Sequence, residues 1–182
     1  MRLSALAILF TAVLGAVACT KNETLLDSER TKIAAFMNTN YSPYETRGDV
    51  YVHVTNADRD GYEAAVQAET GDQVVFEFVA YGLQGASFSE GFLYTNSAAV
   101  AAEEYPDNPE AYSTWTLEPF SVRLGDTGLM EGLQRGLPGA RKGDILCIAM
   151  TSDMGAGDKA LGVLPANTPL MYLIAITEVT KK

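Results

Sequence analysis

Between residues 128 and 144 the chain reads "GLMEGLQRGLPGARKGD". Leu129, Met130, Leu133 and Leu137 recur at the three- and four-residue intervals of one helix face. Gly128, Gly132 and Gly136 recur every four residues through the same stretch. A glycine inside a helix costs about 1 kcal/mol relative to alanine. A helix carrying several is therefore kept only where something other than helix propensity requires them. Close approach is such a requirement: a helix edge without side chains can lie almost against the surface of a sheet. Pro138 and Gly139 stop the pattern, which predicts a helix over 129–137.

The rest of the chain supplies strands for that helix to lie on. Residues 51–55 are β-branched and aromatic, "NADRDG" reads as a turn, and 62–68 return, which predicts a hairpin. Further strands are expected over 73–82, within "STWTLEPFSVRLG", where Phe120, Val122 and Leu124 alternate, within "DILCIAMTS", and over 169–179. Residues 27–39 predict a short helix with Ile33, Phe36 and Met37 on one face, marginal unless it docks on something. "LYTNSAAVAAEEYPDNPEAY" is Ala-rich, then Pro- and acid-rich, and reads as a helix and loop inserted at about 93–114. Strands joined mainly by loops, with one helix late in the chain, predict an α+β fold. Its curved antiparallel sheet of about five or six strands wraps around the helix.

The amino terminus has a different composition. Arg2 is followed by the apolar run "LSALAILFTAVLGAVA" and then Cys19, the form of a secretory signal peptide over residues 1–18. "GAVAC" resembles a bacterial lipobox, which predicts lipidation of Cys19; an ordinary A-x-A cleavage site is the alternative reading. The expected organisation is a leader (1–18), a lipid-anchored tether and short helix (19–47), and one domain (48–182). The expected location is the bacterial cell envelope, facing the periplasm or the exterior. The second cysteine, Cys147, lies in an apolar strand pattern, where a thiol is buried and inert.

Chemistry that needs reactive side chains finds little support. A formal charge of −10 disfavours nucleic acid, whose phosphates require clustered Lys and Arg. The one histidine, His53, alternates with Val50, Val52 and Val54 and reads as a strand residue rather than a base. "NADRDG" has part of a calcium-loop pattern in Asp58, Asp60 and Gly61. It carries Asn56 at the first ligand and Gln67 where a bidentate Glu is needed. "GARKGD" lacks the order of a phosphate loop, since Lys142 precedes Gly143 and Asp144 follows. The neighbouring Glu103 and Glu104 cannot face each other on a helix and read as a solvated face. No metal site, cofactor, nucleophile or acid–base residue is expected.

Three segments carry a family resemblance. "GDQVVFEFVAYGLQGASFS" resembles the FKBP-type peptidyl-prolyl isomerase pattern G-[DE]-x-V-x-x-x-[YF]-x-x-x-L-x-x-G-x-x-F-[DS]. "PFSVRLGDTGLMEGLQRGLPGARKGD" resembles P-F-x-F-x-L-G-x-x-x-[VLI]-I-x-G-[WL]-x-x-[GA]-[LV]-x-x-M-x-x-G-[DE], and "GVLPANTPLMYLIAITEV" resembles I-P-P-N-[AST]-x-L-x-F-x-[VI]-x-[LI]. They occur in family order over 71–179. The resemblance implies a half-wrapped sheet around the glycine-bearing helix, with Gly125 and Gly143 at turns. It implies a substrate pocket of Phe78, Phe88, Phe120, Leu129, Met130, Leu133, Val163 and Tyr172. The implied substrates are proline-containing segments of exported polypeptides, and the implied membrane link is the lipid on Cys19. Several family positions differ: Ser89 replaces an Asp, Leu133 the usual Trp, Ala140 a Met, and the tyrosine of an A-Y-G segment falls near Ala156. These departures make a non-catalytic peptide- or partner-binding module the second reading, and a structural envelope lipoprotein the third.

Overall fold

The computed structural model describes residues 23–182. The expected leader and the lipidation site at Cys19 lie outside the described residues. Seven strands form one curved antiparallel sheet. They are β1 (Glu45–Thr46), β2 (Val50–Val54), β3 (Gln73–Gly82), β4 (Phe92–Thr95), β5 (Phe120–Arg123), β6 (Ile145–Met150) and β7 (Leu170–Thr180). Their order is β1-β2-β6-β7-β3-β4, with β5 also paired to β3. Three helices accompany them: α1 (residues 23–40), α2 (Ala98–Glu104) and α3 (Glu131–Gly136).

The central strands are apolar on both faces because both faces are covered. On β6, Leu146, Ile148 and Met150 join the core under α3, while Cys147 and Ala149 join a second core under α1. β7 divides in the same way, with Tyr172, Ile174 and Ile176 inward and Met171 outward. This explains why "ILCIAM" and "LMYLIAI" read as continuous apolar runs. Ile33, Phe36 and Met37 of α1 fill the outer core, so the marginal helix does dock. Two polar clips fix it. The buried Glu29 carboxylate accepts from Ser152 N (2.8 Å) and Ser152 Oγ (2.9 Å), and Arg30 grips Asp49 at 2.7 and 2.8 Å.

On the inner face, α3 lies across β6 and β2, and its glycines explain the contact. A Cβ on Gly132 would collide with Met150 Sδ and stand 2.8 Å from Met150 Cε, and one on Gly136 would meet Ile148 Cδ1 and Cγ2 at 2.7 Å. Gly128 precedes the helix and has open space around it, so its place in the series has no packing role. The helix is shorter than expected, because Met130 and Leu137 cap it rather than extend it. Its last carbonyls are satisfied by Arg47, whose Nη1 donates to Arg135 O, Gly136 O and Pro138 O at 3.1, 3.0 and 2.7 Å. Gly125 (φ 94°) and Gly143 (φ 84°) do occupy left-handed turns on either side.

Two expectations fail. The hairpin over 51–68 does not form: β2 pairs with β1 and β6, and 55–65 make a succession of turns. β2 has Val50 and Val52 under α3 and Tyr51 under α1, so a strand with both faces buried pairs inside the sheet. The insertion also begins later than expected, because Phe92–Thr95 is strand β4. β4 and β5 share one edge of β3, β5 along Gln73–Phe76 and β4 along Val79–Tyr81, and the chain leaves the sheet between them over 96–119. Asn96 bridges the gap. Its Oδ1 accepts from Phe78 N (2.6 Å), and its Nδ2 donates to Phe76 O (3.2 Å) and Glu118 O (2.9 Å). One buried amide thus satisfies backbone groups that a continuous strand would have paired.

Candidate functional site

A cavity of about 340 Å³ opens over β3, β4 and β7. Its aromatic wall is Phe78, Tyr94 and Tyr172. Phe78 touches both tyrosines, with ring centres 5.5 Å from Tyr172 and 5.9 Å from Tyr94. The opposite wall is the turn from Leu161 to Leu164, closed by reciprocal backbone hydrogen bonds of 2.9 and 3.0 Å. That turn holds Leu161 and Val163 out in solvent, 61% and 53% exposed. Phe78 itself is pinned at its backbone by Asn96 and by Thr95 Oγ1, which donates to Phe78 O at 2.7 Å.

The lining is hydrocarbon except for two phenol hydroxyls. Tyr94 Oη donates to Thr116 O at 3.1 Å and is occupied. Among the described residues, Tyr172 Oη has only the Met130 thioether, 4.0 Å away, a weak acceptor. Burial pushes the Tyr172 hydroxyl up to about 12, so it stays protonated and able to donate at neutral pH. Among the described residues no group of three His, Cys, Asp or Glu side chains is placed to hold a metal.

The eight residues assigned to the pocket from the sequence divide into three groups. Phe78, Val163 and Tyr172 line the cavity. Leu129, Met130 and Leu133 do not line the cavity: Leu129 and Leu133 are buried in the inner core with Met130 packed on it, and Met130 Sδ meets the Tyr172 hydroxyl at 4.0 Å. Phe120 stands 45% exposed with its ring edge-on to Phe76 at 5.6 Å, one ring removed from Phe78. Phe88 is elsewhere. It is fully buried in the outer core, 5.1 Å from Phe36 in an edge-to-face contact, because residues 84–91 turn beneath α1. The aromatic that returns to the cleft is Tyr94, which lies opposite Ala80 on β4. The signal for it was present in "GFLYTNS", two aromatic side chains two residues apart between a glycine and an asparagine. Ser89 is exposed and does not line the cleft, and Ala156 offers no hydroxyl.

A sheet curled over a short glycine-bearing helix, with an aromatic cleft beside it, defines a recognisable class. A sequence model of the FKBP-type peptidyl-prolyl cis-trans isomerases matches residues 64–177, more than half of the chain. The protein belongs to that family. Among solved structures, it is similar to a peptidyl-prolyl cis-trans isomerase from Pseudomonas syringae pv. tomato, with a TM-score of 0.58 and 16% identity, over 87% of this chain and 96% of that one. FkpA from Escherichia coli is also similar, with a TM-score of 0.57 and 17% identity, over 98% of this chain and 72% of that one. At such identities the likeness is one of fold. No curated protein matches the sequence significantly.

Proposed function

We propose that this protein is a peptidyl-prolyl cis-trans isomerase that acts on proline-containing segments of exported polypeptides. It is held in the bacterial envelope by a lipid on Cys19. The observation that carries the isomerase reading is the hydrocarbon-lined cleft of Phe78, Tyr94 and Tyr172 facing the Leu161–Leu164 turn. Rotation about a peptide bond breaks amide resonance against a barrier of about 18–20 kcal/mol. An X–Pro bond therefore turns over in tens to hundreds of seconds unaided. In the twisted state the nitrogen no longer shares its lone pair and the amide is less polar. A hydrocarbon-lined cleft favours that state over the planar one. The aromatic faces hold the proline ring while the preceding carbonyl swings. The Tyr172 hydroxyl, with only a thioether as partner, is the donor that the cleft offers to the peptide. No nucleophile, base or cofactor is needed.

The test is a protease-coupled assay with proline-containing tetrapeptides. Catalysis above the spontaneous rate is expected, with kcat/KM reduced at least tenfold in Phe78→Ala and in Tyr172→Ala. Phe88→Ala, far from the cleft, should lower stability but spare kcat/KM of the folded protein. Absence of any acceleration overturns the isomerase reading. The second reading is a peptide-binding module without catalysis, favoured by Ala156 where the family pattern carries a tyrosine. It predicts peptide binding that Phe78→Ala abolishes, with no change in isomerisation rate. A purely structural role is disfavoured by the open cleft.

A further inference from the structure

The geometry points to a second ligand site, at the carboxyl-terminal end of α3, that takes a carboxylate carried on an apolar body. A cavity of about 690 Å³ lies there, twice the volume of the prolyl cleft and separate from it. Its apolar lining comes from Val52, Val54, Pro138, Leu146 and the ring of Tyr62. Arg141 also lines it, and its surroundings are unusual.

Arg141 is 7% exposed, with its guanidinium centre 4.1 Å from the centroid of Tyr62. Its Nε is buried and has no hydrogen-bond partner. The nearest carboxylate oxygen, on Glu63, is 3.8 Å from Nη2, beyond hydrogen-bond reach, and that side chain is 89% exposed. The other two arginines of this region are engaged. Arg47 caps α3 and pairs with Glu45 at 2.7 Å, and Arg59 bonds Asp144 Oδ1 and Lys142 O. Among the described residues, Arg141 alone is a buried cation without a hydrogen-bonded anion. Removing a charge from water is costly unless a well-placed partner restores the interaction.

The missing partner is therefore an anion, and the surroundings limit which. The guanidinium is a planar fork that matches a carboxylate with two parallel bonds. Asp144 is neutralised by Arg59 and Glu45 by Arg47, but Asp58 lines the cavity from its exposed rim with no partner among the described residues, and Glu63 is close by. One open cation among these carboxylates suits a monoanion and works against a doubly charged phosphate. At the water-exposed rim the repulsion from Asp58 is screened. The apolar walls then select a ligand whose remainder is hydrocarbon. Two sources carry that chemistry: a free monocarboxylic acid, and the carboxyl terminus of a polypeptide with apolar last residues.

The experiment is isothermal titration calorimetry on the full chain, with a readout independent of isomerase activity. The probes are hexanoate, hexanamide, inorganic phosphate, and a short apolar peptide with a free or an amidated carboxyl terminus. Hexanoate or the free-terminus peptide should bind at least tenfold more tightly than its amide and than phosphate. A stronger peptide signal assigns the polypeptide source, and a stronger hexanoate signal the free acid. Arg141→Met, which keeps the length of the side chain without its charge, should abolish the preference for acid over amide. Glu63→Gln, at an exposed position that leaves the fold intact, should tighten acid binding severalfold by removing the competing carboxylate. Equal binding of acid and amide, no binding of either acid, or acid binding unaffected by Glu63→Gln would each overturn the assignment.

Discussion

Gly136 provides the sharpest test of how the helix and sheet fit together. An alanine there places its Cβ 2.7 Å from both Cδ1 and Cγ2 of Ile148 and 3.3 Å from Cγ1. Ile148 is fully buried on β6 and, being β-branched, has few alternative rotamers. Overpacking a closed core costs about 1–3 kcal/mol, and two short contacts to a stiff partner place this case at about 2–3. Alanine returns up to about 1 kcal/mol of helix propensity, and less at the last helical residue. The expected net loss is about 1–2 kcal/mol, measured by urea unfolding with an unchanged dependence on denaturant. Ile148→Val removes one of the two clashing carbons and alone should cost about 0.5–1.5 kcal/mol. The double variant should therefore lose about 1 kcal/mol less than the sum of the two. Gly128→Ala, in open space, is the control and should stay within about 0.5 kcal/mol of the parent. A Gly136→Ala protein as stable as the parent, or strict additivity with Ile148→Val, would refute the close-approach argument.

Asn96→Ala strips Phe78 N and Phe76 O of a partner at a buried edge and should cost about 2–3 kcal/mol, with faster hydrogen exchange at the Phe78 amide. Asp72 is held at about 2 by hydrogen bonds from Lys181 Nζ, first, and then from the Glu69 and Lys182 amides. Its ordinary value is near 4, so between about pH 4 and pH 2 the unfolded chain binds the proton first, and stability falls as pH falls through that window. Asp72→Asn should flatten this part of an acid-unfolding curve, and an unchanged curve would remove Asp72 from the account. Cys147 is fully buried, with its thiol pushed up to about 12 by desolvation. In a Cys19→Ser chain, labelling by a maleimide at neutral pH should occur only at the rate of global opening, and rapid labelling of the native protein would contradict the outer core.

The fold was readable where periodicity and glycine placement agreed. The strands over 73–82 and 169–179, the buried thiol strand, and the helix with its close-packed glycines follow from local pattern and are found as such. The site was readable only in part, because residues that line a cleft are chosen by which sheet face they occupy. Phe78 and Tyr172 sit in regular strands, where alternation fixes the face. Phe88 sits in a turn, where alternation has no meaning, and a phenylalanine spaced as the family pattern requires was carried to the wrong face of the sheet. Tyr94 was hidden because its strand has four residues and runs directly into a polar, helix-forming stretch. The hairpin expected over 51–68 had the residues of a hairpin, but long-range pairing with β6 prevailed. No local signal marks Asn96, whose role depends on strands that lie apart in the chain.

The Asn96 clasp also has a meaning for inheritance. A chain that departs and rejoins at the two ends of one carboxamide leaves the remaining strands indifferent to what happens in between. Doubling such an excursion costs only about 0.6 kcal/mol in closure entropy. Trp115, carried on that excursion, leans on Tyr94 with ring centres 4.9 Å apart. The excursion therefore works as a replaceable cartridge: rewriting it changes what backs Tyr94 in one wall of the cleft, while the scaffold beneath stays as it was.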